Sequence, residues 1–171
     1  SASNLEWLVK TVLAQGGPII SDGGPNDLYA QINAAVRRRI GAPRDALFFP
    51  YLFGGPNGAP AGLLGMTADY TFEDVMLAVF EGIVFAHKAD IDRLRSGNDA
   101  ARPDLMVRAG GAARSEVWSD LFADILNLPV EVPEGSELGA LGVAICAASA
   151  IGAYPDLRAA VAGMARRSRR H

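Results

Sequence analysis

The residues best suited to chemistry are the adjacent Gly110 and Gly111, with Ser115 just beyond them. They follow a short apolar run, Leu105, Met106 and Val107, that reads as a buried strand. They precede Val117, Trp118, Leu121, Phe122, Ile125 and Leu126, spaced as one face of a helix. Ser115 stands where the N-cap of that helix belongs. A strand that turns through paired glycines into a helix start leaves backbone N–H groups free. Glycine lets a ligand approach that backbone, and the helix dipole favours an anion there. Two readings fit: a phosphate or nucleotide contact, and an ordinary strand-to-helix turn.

Other candidates carry less. Glu81 lies in an apolar stretch without a second carboxylate in view, and is expected to accept hydrogen bonds from a neighbouring loop. Gly82 beside it sits mid-helix, where glycine costs about 1 kcal/mol relative to alanine. Such a glycine implies another backbone packed against it. His87 is expected to serve packing or the surface. Cys146, the one cysteine, lies in an apolar helix and reads as a small buried hydrophobe in a reducing cytoplasm. With His87 and His171 the only histidines, no zinc ligand set forms. No catalytic and no metal-ligating residue is assigned.

The elements that position the glycines follow from periodicity and caps. Residues 4 to 15 form an amphipathic helix capped by Ser3 or Asn4, with Trp7 half-buried. Residues 25 to 40 form a second, with Pro25 in its first turn and Arg37, Arg38 and Arg39 on a solvated face near its C-terminus. Residues 46 to 53 read as an edge strand because of Pro50. Residues 54 to 65 hold five glycines and two prolines, which predicts a loop without regular structure. Thr71 and Asp74 predict a capping box for a long helix to about Arg95. Pro129 to Pro133 reads as a second strand. Ser136 or Glu137 begins a helix of small residues suited to lying close against a sheet or another helix. Asp156 caps a last short helix to about Ala165. Alternating strand and helix in the second half implies parallel strands with helical crossovers. So few strands are not expected to stand alone, and those that complete the sheet are expected upstream of Ser1.

The chain of 171 residues is half hydrophobic, with a formal charge of -3. That describes one globular domain, over residues 1–165, and excludes a disordered chain. Arg166, Arg167, Arg169 and Arg170 crowd the end, so residues 166–171 are expected to be a disordered basic tail over an acidic body. An acidic body argues against nucleic acid as a partner. No apolar run reaches membrane-spanning length and no signal peptide is visible.

Three stretches, in order, match one family. The first is Ala61 to Gly82, AGLLGMTADYTFEDVMLAVFEG. The second is Ala109-Gly110-Gly111-Ala112-Ala113-Arg114-Ser115 with Trp118. The third is Leu128 to Pro133, then Glu137 and Gly139-Ala140-Leu141-Gly142. With Phe49-Pro50-Tyr51-Leu52, they span about residues 47 to 155 and resemble the C-terminal domain of the FGGY carbohydrate kinases. The resemblance implies an α/β, actin-like (ribonuclease H-like) ATPase half-domain, incomplete and helix-rich, with a small partly parallel sheet. It also implies phosphoryl transfer from ATP, with Mg2+, to a sugar or polyol hydroxyl. Gly110, Gly111 and Ala112 would lie against the nucleotide, Arg114 occupies a motif position, and Ser115 would sit near the adenine or ribose. The aspartate base and most sugar contacts belong to an N-terminal domain, and no residue here matches that aspartate. This chain alone is therefore expected to be inactive, and a homo-oligomer is one open arrangement.

One departure matters. Many family members carry a Gly-Glu-Arg triplet where this chain reads Gly54-Gly55-Pro56, and a further Arg before the position of Gly65. This leans away from the commonest xylulose kinases toward the L-xylulose and polyol branch. The alternative to a kinase is a non-catalytic actin-like module for nucleotide sensing or subunit contact. A dinucleotide-binding domain is disfavoured, because no Gly-x-Gly-x-x-Gly follows a strand.

Overall fold

The computed structural model describes residues 2–13, 25–42, 45–96, 103–135, 137–165 and 168–171. Its centre is the long helix α3 (Phe72–Ser96). Helices α2 (Pro25–Arg39) and α4 (Glu116–Leu126) pack against it. Ile32 and Val36 of α2, Val79, Phe80 and Ile83 of α3, and Trp118 and Phe122 of α4 are buried in one core. The rings of Phe80 and Trp118 lie 4.9 Å apart. The N-terminal helix begins as α1 (Ala2–Trp7) and continues as a wider π-helical turn over Leu8–Leu13. It buries Leu5 and Val9, but Trp7 is 38% exposed rather than half-buried in the core.

The capping box at α3 forms as the sequence predicts. Thr71 N–H donates to Asp74 Oδ2 at 2.8 Å, and the Thr71 hydroxyl accepts from Asp74 N–H at 3.4 Å. The arginines of α2 do more than face solvent: Arg39 pairs with Asp74, and Arg38 lies 3.0 Å from Glu73. The Thr71 backbone N–H, then the Thr71 hydroxyl and Arg39, hold the Asp74 carboxyl well below the usual carboxylate range. A depressed carboxyl adds stability that is present above its unfolded pKa and lost as pH falls through its folded one. The melting midpoint of the chain is therefore expected to fall below about pH 4. Asp74→Asn is expected to lower it at neutral pH and to flatten this acid limb. Thermal melts of both proteins from neutral to strongly acid pH check this.

Strand β1 (Leu47–Phe49) pairs antiparallel with β2 (Gly62–Leu64), joining Leu47 to Leu64 and Phe49 to Gly62. Strand β2 corrects the expectation of a structureless loop over residues 54 to 65. Its glycines and prolines cluster at the bend, where Pro56–Gly58 forms a 3-10 turn, and leave Gly62–Leu64 free to return. Close approach explains Gly82. A Cβ there would stand 2.1 Å from the carbonyl oxygen of Phe48, so the strand backbone lies directly on α3.

The second sheet holds β3 (Met106–Val107), β4 (Val130–Pro133) and β5 (Ser168–Arg170) in the order β3-β4-β5. β3 and β4 are parallel, as the alternation implies, with Met106 opposite Val130. β3 is less buried than predicted: Met106 is partly covered and Val107 is exposed. β5 is antiparallel to β4, and His171 exchanges two backbone hydrogen bonds with Val130. Residues 168–171, expected in the basic tail, here add a strand to the sheet. The open edge of β4 supplies the backbone partners that solvent was expected to supply. Arg166 and Arg167 lie outside the described residues.

Helix α5 (Leu138–Ala150) packs on α6 (Leu157–Met164), which Asp156 caps through Ala159 N–H at 2.8 Å. The glycines of α5 do not lie close against a neighbour. A Cβ on Gly139 or Gly142 would meet nothing within 4 Å. Cys146 is exposed, not buried, and Val143 and Ile151 are 71% and 81% exposed.

Candidate functional site

The parallel pair β3–β4 opens, at the carboxyl ends of both strands, onto Ala109-Gly110 and Glu134-Gly135. Ligands of open α/β sheets sit beyond those ends. Gly110 has φ of 90°, a conformation that favours glycine. Gly111–Arg114 then form a 3-10 turn, closed by Ala113 N–H to Gly110 O at 3.1 Å and Ser115 N–H to Ala112 O at 3.3 Å. Ser115 caps α4 as predicted: its Oγ accepts from Trp118 N–H at 3.2 Å. The same hydroxyl donates to Asn33 Oδ1 at 2.6 Å, which ties the turn to α2.

Gly111 is the informative residue. Its φ is not in the left-handed region, and a Cβ on it would meet nothing within 4 Å. Neither backbone conformation nor packing calls for a glycine there. The space its missing side chain leaves faces two clefts. One of about 390 Å³ lies toward β4 and is lined by Gly110, Arg114, Glu116, Glu134 and Leu138. The other, about 480 Å³, lies toward α1 and α2 and is lined by Leu5, Tyr29, Asn33, Ala112, Ser115 and Trp118. Gly111 and Arg114 line both. The five residues singled out from sequence, Gly110, Gly111, Ala112, Arg114 and Ser115, thus form one continuous crest between the clefts. The second cleft carries polar groups on an apolar wall. Burial pushes the Tyr29 phenol up, and the buried Trp118 Nε1–H has no acceptor among the described residues.

Arg108 belongs to no motif named above. It is 7% exposed, directly under the turn. Nη1 donates to Ser119 Oγ at 2.7 Å and Nη2 to Ala112 O at 3.1 Å. Its guanidinium carbon lies 4.5 Å from the Phe122 ring centroid and 5.7 Å from that of Trp118. Burial pushes its pKa down to about 10, so it stays a cation at neutral pH. The available signal was an arginine two places before paired glycines inside an otherwise apolar run.

Glu81 lies half-buried against β1, and burial pushes its carboxyl up. Among the described residues no hydrogen-bond partner meets it, which corrects the expected loop contact. His87 packs against Phe122, with ring centroids 5.5 Å apart, and burial pushes its pKa down. Among the described residues no group of three His, Cys, Asp or Glu could hold a metal ion, and no helix is long and apolar enough to cross a membrane.

Residues 2–151 match the family model for the "FGGY family of carbohydrate kinases, C-terminal domain". The chain belongs to that family. It is 35% identical over 156 residues to the "L-xylulose/3-keto-L-gulonate kinase" of Escherichia coli, covering 90% of this chain and 28% of that one. It is 30% identical over 159 residues to a "Probable L-xylulose kinase" of Pasteurella multocida, covering 92% and 30%. The fold superposes on a xylulose kinase from Rhodospirillum rubrum with a TM-score of 0.77 at 22% identity, over 100% of this chain and 33% of that one. It superposes on a Plasmodium falciparum glycerol kinase solved with ADP at 0.75 and 21%, over 99% and 32%. The actin-like half-domain is therefore shown. The chain spans about 30% of the length of these curated FGGY kinases.

Proposed function

We propose that this chain is the nucleotide-binding part of an ATP-dependent carbohydrate or polyol kinase. The observation that carries the reading is Gly111: a glycine required by neither conformation nor packing, on the crest between two clefts beyond a parallel strand end. The residues fit a nucleotide. Tyr29 and Trp118 give the second cleft an apolar wall for a purine, and the unpaired Trp118 Nε1–H is a buried donor that wants an acceptor. Ser115 has spent its own hydrogen on Asn33, so it meets a ligand only as an acceptor. Phosphates would follow Gly110, Gly111 and Ala112, with Arg114 at the mouth of both clefts. Mg2+ would arrive with the phosphates and supply charge neutralisation there.

The rest of the activity lies outside these residues. No aspartate base matches here, so the partner N-terminal domain would supply it together with most sugar contacts. The bare apolar side of α5 is consistent with a further cover. The chain alone would bind nucleotide and not turn over. The relatives named L-xylulose kinases, and Gly54-Gly55-Pro56 in place of the charged triplet, support a ketose or polyol of that branch as the substrate, with a cytoplasmic location.

Thermal melts with Mg-ADP and Mg-ATP test the reading. A ligand that binds only the folded state stabilises it by about 2.7 kcal/mol at one hundred times its Kd. The melting midpoint should then rise by roughly 5–10 °C for a chain of this size. No shift at millimolar nucleotide would overturn nucleotide binding by this chain.

A further inference from the structure

We propose that Arg108 is the positioning residue of the Gly110–Gly111 turn, holding its backbone in the nucleotide-ready arrangement and placing an unneutralised positive charge beneath the phosphates. The inference rests on the nucleotide reading above. Arg108 leaves β3 and turns back under the 3-10 turn that its own strand feeds. One arm of its guanidinium takes the Ala112 carbonyl, and the other takes the Ser119 hydroxyl on α4. Ser119 Oγ in turn donates to the Ser115 carbonyl at 3.3 Å, and Ser119 itself is fully buried. Ser115 continues the chain of bonds to Asn33 on α2. A single planar fork therefore connects the end of β3, the turn, the start of α4 and, through Ser115, α2.

Geometry makes the fork specific. A lysine ammonium offers a point charge, whereas a guanidinium presents parallel N–H groups in fixed directions and stacks on aromatic faces. Phe122 and Trp118 provide those faces. The Ala112 carbonyl accepts from Arg108 and from Ser115 N–H together, so the fork reinforces a bond that closes the turn. Among the described residues no carboxylate pairs with Arg108. A buried cation is normally paired, because burial disfavours the charged form. Here neutral acceptors and ring faces hold it, and its charge is left to act on whatever anion lies above the turn.

Two variants of the chain separate the parts. Arg108→Gln removes the charge and the fork, and Arg108→Lys keeps the charge and removes the fork. Amide hydrogen exchange over residues 110–115, together with binding of Mg-ADP and of adenosine, is measured for each. Both variants should speed exchange in the turn while leaving α3 protected. Arg108→Gln should weaken Mg-ADP about tenfold more than adenosine, as expected for the loss of one nearby, partly screened positive charge. Arg108→Lys should recover most of that difference between the two ligands. Unchanged exchange at 110–115 in both variants overturns the positioning role, whether or not nucleotide binds. Equal loss of Mg-ADP and adenosine in Arg108→Gln overturns the charge role. A wild-type chain that binds neither ligand overturns the nucleotide reading instead, and the exchange data then decide the positioning role alone. Should Arg108→Gln fail to fold, Ser119→Ala cuts one arm of the network and keeps the charge. It should speed exchange at the turn without separating Mg-ADP from adenosine.

Discussion

Gly111→Val is expected to abolish the stabilisation by Mg-ADP while moving the melting midpoint of the ligand-free chain by only a few degrees. Both halves follow from the same geometry. A Cβ at position 111 would meet nothing within 4 Å, so no protein atom has to move to admit it. The φ of Gly111 is one that other residues adopt, and replacing a glycine there also reduces the freedom of the unfolded chain. The fold is therefore nearly indifferent to the change. A nucleotide is not, because valine branches at Cβ and would fill the approach to a crest that lines both clefts. Paired melts with and without Mg-ADP read the two effects separately. A variant that keeps the full ligand shift would remove the turn from the site. A variant that loses both the shift and the fold would mean that Gly111 is structural after all.

What the residues announced, and what they did not, divides along physical lines. The capping box of α3 and the Ser115 cap of α4 were legible because a cap is a local hydrogen bond between residues three apart. The parallel pairing of β3 and β4 was legible from alternation and from the helix between them. The candidate crest was legible as paired glycines at a strand end, although its five residues look alike in sequence and play different parts. Gly110 answers a backbone angle, Gly111 leaves open space, and Ser115 is committed to α2. Long-range facts were not legible. β2 was hidden because its pairing with β1 spans a loop rich in breakers, and three residues are too few to show a period. Arg108 was hidden because its partners lie 4 to 14 residues ahead, brought round by the turn itself. The small-residue helix was legible only in part: it packs on α6, but its glycines meet nothing. Small side chains permit close packing, but a neighbour must be present for it to occur, and α5 keeps one face bare.

Gly82→Ala puts that distinction to its strongest test, since two arguments predict opposite signs. Helix propensity alone favours alanine over glycine by about 1 kcal/mol inside a helix such as α3. Packing opposes it, because the new Cβ would stand 2.1 Å from the Phe48 carbonyl oxygen and 2.9 Å from its carbonyl carbon. That oxygen belongs to the backbone of a strand paired with β2, not to the end of a flexible side chain, so relief requires β1 to lift from α3. Forced overpacking of this kind costs about 3 kcal/mol. Less the propensity gain, the net cost is about 2 kcal/mol, and the expected result is a melting midpoint lower by roughly 4–8 °C, with weaker protection of the β1–β2 pair in hydrogen exchange. Gly142→Ala supplies the control. It too lies inside a helix, but its Cβ would meet nothing within 4 Å. Propensity then acts unopposed, and the substitution should raise stability by up to about 1 kcal/mol. Two glycine-to-alanine changes in two helices should thus move the midpoint in opposite directions. A stabilised Gly82→Ala would mean that β1 does not rest on α3 as the structure places it. A strongly destabilised Gly142→Ala would mean that something covers α5 in solution, a second copy of the chain being the first occupant to examine by sedimentation.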